Sequence, residues 1–71
     1  MAKLVILDFV NIRVLNVDVC KEQVEKLDNE YDSNTCDWLC EEGLDEKLEI
    51  NVNCIQYMWL DDSETIQNIT I

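Results

Sequence analysis

The sequence predicts an α+β domain, a small antiparallel sheet in the order β-β-α-α-β-β with two short helices on one face. Three observations lead there. Aliphatic and β-branched runs occupy the two ends of the chain, an apolar stripe at the α-helical period occupies the middle, and 48% of the 71 residues are hydrophobic. A chain of this size forms one small domain, residues 1–71, that buries only about 60% of the surface it exposes when unfolded. Its core supplies no more than roughly 3–5 kcal/mol of net stability.

The elements follow in order. Residues 3–10, KLVILDFV, are aliphatic and β-branched and read as a strand buried on at least one face. Asn11 offers a turn, and residues 12–17, IRVLNV, read as a second strand, giving a hairpin. Asp18 is a good helix N-cap, and after it Cys20, Val24, Leu27 and Tyr31 form one apolar stripe. Glu22, Glu25 and Lys26 then face solvent, and the polar residues 28–34, DNEYDSN, end that helix. A second helix is expected over about residues 35–42, capped by Asn34 or Thr35, with Gly43 at the left-handed position past its end. Residues 44–49 read as loop or irregular helix. Residues 52–60, VNCIQYMWL, read as a strand with Ile55, Tyr57 and Trp59 on one face and Cys54, Met58 and Leu60 on the other. Residues 61–63 make a turn, and residues 65–71, TIQNITI, read as a last strand.

Charge dominates the composition. Sixteen acids stand against five bases and no histidine, a net charge of −11. Residues 18–49 hold twelve of those acids and three bases, whereas residues 3–17 hold one acid and two bases. Such a surface repels nucleic acid and anionic membrane and attracts basic partners, although it also serves solubility alone. The run LVIL, residues 4–7, is broken by Asp8 and has no cleavage site of small residues. Nothing approaches the roughly 20 apolar residues of a membrane span. A cytoplasmic location with reduced cysteines is expected, so the Asn68-Ile69-Thr70 glycosylation pattern is without consequence.

Few constellations carry chemistry. In CDWLC, residues 36–40, Cys36, Leu39 and Cys40 share one helix face. With Cys20 and Cys54 they make four cysteines, but close C-x₂-C knuckles and histidines are absent, so buried thiols are expected rather than zinc or disulfides. Asp28, Glu30, Asp32 and Asn34 mimic the first positions of a calcium loop, yet Ser33 and Leu39 stand where glycine and a bidentate glutamate are needed. No metal or cofactor is therefore expected. Catalysis lacks a histidine base, an electropositive setting for a thiolate, and a glycine-rich phosphate loop. A non-enzyme is expected.

Aromatic residues complete the inventory. Trp38 lies off the face of the two cysteines and is expected to be partly exposed. Tyr57 and Trp59 either pack under the helices or stay uncovered as an interface.

The opening KLVILDF with a second strand, the acidic helix, and the NCIQYMWLDD segment before a short final strand resemble the small acidic proteins of unknown function found in gut Bacteroidetes and their mobile elements. The chain departs from that pattern at Asn11-Ile12, where such proteins often carry a glycine turn. The resemblance implies a layout, and no function comes with it.

The expected function is a small cytoplasmic protein-binding module. Its acidic helical surface, Glu22, Glu25, Asp37, Glu41 and Glu42 with Trp38 as an anchor, meets an unknown protein with a basic surface. It contacts neither nucleic acid nor membrane directly. Two alternatives stand beside it: a DNA mimic that inhibits a nucleic-acid-binding protein of a restriction or defence system, its carboxylates copying part of a phosphate array, and a structural homodimer that pairs through the aromatic sheet face.

Overall fold

Residues 3–8 are apolar at every position but the two charged ends, which suits a strand with neighbours on both sides. The computed structural model describes residues 2–61 and 67–71. In it, β1 (Ala2–Asp8) is the central strand of a three-stranded antiparallel sheet, between β2 (Arg13–Val19) and β3 (Ile55–Leu60). Helices α1 (Lys21–Glu30), α2 (Thr35–Glu41) and α3 (Leu44–Leu48) connect β2 to β3, and a 3₁₀ turn at Val52–Cys54 precedes the last strand. The α+β architecture is the expected one.

Register decides which side chains enter the core. Leu4 lies between Val17 and Trp59, Ile6 between Leu15 and Tyr57, and Asp8 between Arg13 and Ile55. Cross-strand partners share a face, so these residues form the inner side of the sheet. Leu4, Ile6 and Val19 there meet Leu27 of α1 and Trp38 and Leu39 of α2 in one buried cluster, with Leu44 and Leu48 of α3 packed against it. All the helices thus cover one face.

Several boundaries differ from expectation for identifiable reasons. Asp18 caps no helix, because β2 runs on to Val19, which pairs with Ala2 and is buried. Continuing the ladder and burying Val19 outweighs an aspartate cap worth about 1 kcal/mol. The helix starts instead from Cys20, which makes no side-chain cap bond and is exposed rather than on the buried stripe. Asn34 caps α2 as expected, its side chain accepting from the Asp37 amide at 3.1 Å. Gly43 adopts the left-handed conformation at φ +70°, and it also begins α3, so the ambiguous residues 44–49 are largely helical.

The expected strand over residues 52–60 is shortened at its start, because the Asn51 side chain accepts from the Asn53 amide and curls Val52–Cys54 into a turn. Of the expected last turn and strand, residues 62–66 lie outside the described residues. Residues 67–71 carry no strand, and Ile69 and Ile71 are exposed.

Candidate interaction surface

The expected acidic surface divides between two helices. Glu22 and Glu25 are exposed on α1, turned away from the core residues Val24 and Leu27 by the helical period. Asp37 and Glu41, four residues apart, share the exposed side of α2 opposite Leu39. Glu25 has a loose ion pair with Lys21 at 3.9 Å on two exposed side chains, too wet to neutralise the face.

Glu42 does not belong with them. It is half-buried, and Lys26 Nζ approaches its carboxylate to 2.7 Å while the Tyr31 hydroxyl donates to it at 2.9 Å. Those two bonds hold its carboxyl below the usual range, and they push both the Lys26 ammonium and the Tyr31 hydroxyl above theirs. Glu42 is a strut between α1 and α2, already occupied by its own chain.

Trp38 is also removed from the surface. Only 2% of it is exposed, among the most buried residues of the chain. Its ring packs against Trp59 and its indole N–H donates to Gln23 Oε1 at 3.2 Å. Trp59 in turn donates to the buried Thr35 Oγ1 at 3.0 Å. The face of α2 that enters the core is therefore Thr35, Trp38 and Leu39. Spacing i, i+3, i+4 was legible in CDWLC, but it starts one residue earlier than the cysteines. A tryptophan buries far more apolar area than a thiol, so the helix rotates to place Trp38 inside.

All four thiols are free, and none is buried as expected: Cys20 and Cys40 are exposed, Cys36 and Cys54 only half-buried. Local burial, followed by the nearby Asp45, Cys36, Asp37 and Glu41, pushes the Cys40 thiol above its ordinary value, so it is a poor thiolate at neutral pH. Among the described residues no group of three or more Cys, Asp or Glu side chains is placed to hold a metal ion. No helix among them is long and apolar enough to cross a membrane.

Two features went unanticipated. The first is Asp8, a strand residue with a fully buried side chain. Its carboxylate accepts from the Val10 and Asn11 amides at 3.0 and 3.2 Å, from Asn11 Nδ2 at 3.0 Å and from Arg13 Nε at 2.8 Å. Arg13 Nη2 continues to the carbonyls of Leu48 and Glu49 at 2.6 and 2.9 Å, satisfying the end of α3. The Arg13 and Asn11 bonds hold the Asp8 carboxyl well below the usual carboxylate range. This node fixes the β1–β2 turn and ties it to the helical layer.

The second feature is what the turn and the outer side of the sheet display. Phe9, Val10 and Ile12 are exposed at the turn, Ile12 by 83% and at φ +53°, where a β-branched side chain is strained. Leu7, Val14 and Met58 are exposed on the outer face of the sheet. The aromatic face of β3, which was expected to be either core or interface, faces inward: Trp59 is packed on the core and Tyr57 lies exposed at the edge.

No protein-family model, no curated protein and no solved structure matches this chain.

Proposed function

We propose that this chain is a small, cytoplasmic, non-enzymatic protein-binding module whose acidic helical surface meets a basic surface on another protein. The observation that carries this reading is the exposure of Glu22, Glu25, Asp37 and Glu41 on the solvent sides of α1 and α2. Eight acids stand against two lysines over residues 21–42. Carboxylates displayed this way steer a basic partner and favour its approach.

The non-enzymatic reading is supported by the absence of histidine from the chain and by the engagement of two polar side chains in one cleft. A cleft of about 390 Å³ is lined by apolar residues such as Leu4, Val17, Trp38 and Leu44, with Asp18, Cys20 and Lys47 beside Gln23 and Glu42. Gln23 is engaged by Trp38, and Glu42 by Lys26 and Tyr31. Neither is left to activate a substrate. The free thiols fit a reducing compartment.

The test is capture from host lysate on the tagged chain beside a variant carrying E22Q, E25Q, D37N and E41Q. A protein retained by the native chain and lost from the variant supports the reading; equal retention by both rejects the acidic face. Competition by duplex DNA for that protein separates a DNA mimic from a module that binds some other basic surface.

A further inference from the structure

We propose that Cys36 and Cys40 form a dithiol site that one trivalent arsenic centre bridges. Both stand inside α2, four residues apart, which stacks their side chains on one side of the helix with Cβ atoms about 5–6 Å apart. Both thiols are free, Cys40 exposed and Cys36 half-buried. The other side of the same turn is fixed, because Thr35, Trp38 and Leu39 are buried and Trp38 is held by Trp59 and Gln23. Unwinding the turn that pairs the thiols means lifting that tryptophan from the core. Cys20 precedes α1 and Cys54 ends the 3₁₀ turn before β3, so neither shares this helix face.

The donor set selects the occupant. The chain has no histidine, and among the described residues no group of three or more Cys, Asp or Glu side chains is placed to hold a metal ion. Zinc, which takes four ligands, is not served by two sulfurs, and calcium and magnesium need oxygen ligands. Two soft donors suit a thiophilic centre that completes its shell with a substituent of its own. Side chains on one helix face also point the same way. The sulfurs therefore grip a pyramidal centre from one side and do not oppose each other across a linear ion.

Charge narrows the choice. Burial, then Asp45, Cys36, Asp37 and Glu41, push the Cys40 thiol up, so its surroundings oppose a thiolate. Copper(I) held by two thiolates adds a negative charge among those carboxylates. A trivalent arsenical carrying one organic group and two hydroxyls adds none. Each As–OH bond gives way to an As–S bond, and each thiol proton leaves with the hydroxide as water. Arsenic stays trivalent and the product is neutral.

Phenylarsine oxide, whose hydrate is such a dihydroxide, is the probe, titrated into the reduced full chain in excess glutathione and followed by intact mass. The native chain should hold one arsenic against glutathione. Cys36→Ser or Cys40→Ser should each weaken binding at least about a hundredfold, because the second, intramolecular bond is lost. Cys20→Ser and Cys54→Ser should change it little. The urea midpoint should rise with the probe, since the helix holds the two thiols together and the unfolded chain does not. Circular dichroism confirms folding, and the exposed Cys40→Ser carries the comparison if Cys36→Ser does not fold. Arsenic stripped by glutathione from the native chain, tight binding in Cys40→Ser, an equal loss in Cys20→Ser or Cys54→Ser, or a urea midpoint that stays or falls would overturn the proposal.

Discussion

The indole rings of Trp38 and Trp59 lie 5.8 Å apart at an interplanar angle of 50°, joining α2 to the edge strand β3. Each indole N–H has its own acceptor, Gln23 for Trp38 and Thr35 for Trp59. Tilted pairs at this separation are favourable beyond the area they bury. The pair holds the return of the chain against its helical layer.

Trp38→Ala is therefore a stability variant before it is a binding variant. Removing a buried tryptophan costs about 3–5 kcal/mol, close to the whole net stability of a domain this small. Urea unfolding followed by circular dichroism should show most of the variant unfolded in water. A loss under about 1 kcal/mol would mean that Trp38 is not the keystone of this core.

Much of this was legible in the sequence, and the exceptions share a cause. The alternation in β3 and the Asn34 cap and Gly43 stop of α2 are local signals, and they are observed. The rotation of α2 is not local, because it depends on Trp59 and Gln23 being there to receive Trp38. Glu42 likewise looked free until Lys26 and Tyr31 were brought to it from α1. The outer apolar face has its own signal in the first strand. KLVILDFV is apolar on both alternating sides, so a sheet covered on one side must display the other.

Asp8→Asn should lower the urea midpoint at neutral pH and flatten its acid dependence. The folded carboxyl is held below its ordinary value by Arg13 and Asn11, so its contribution is present above the unfolded value near pH 4 and is lost as pH falls. The native chain should lose stability from about pH 5 downward, and the variant less steeply. Parallel curves for the two proteins would show that the node does not act through the charge of Asp8.

At alkaline pH the Lys26–Glu42–Tyr31 strut governs. Lys26 and Tyr31 both have raised folded values, so their contribution is complete below about pH 10 and disappears as pH rises through them. In a Tyr57→Phe background, ultraviolet titration should place Tyr31 above a free tyrosine, and Glu42→Gln should bring it down. An unmoved titration would mean that Glu42 does not hold the hydroxyl in solution.

Ile12 separates stability from surface. Ile12→Asn relieves a left-handed β-branched residue and should stabilise the fold by about 1 kcal/mol, read as a higher urea midpoint. A destabilised variant would show that Ile12 packs within its own chain.

A partner contact made by the acidic helical face fixes how the affinity of the captured protein responds to salt. Calorimetric titration against the native chain at about 50 mM and about 300 mM salt should show at least a tenfold loss, with most of the low-salt affinity gone from the variant neutralised at Glu22, Glu25, Asp37 and Glu41. An affinity that holds or rises with salt, and that survives neutralisation, would rule out the acidic face as the contact and leave it with solubility alone.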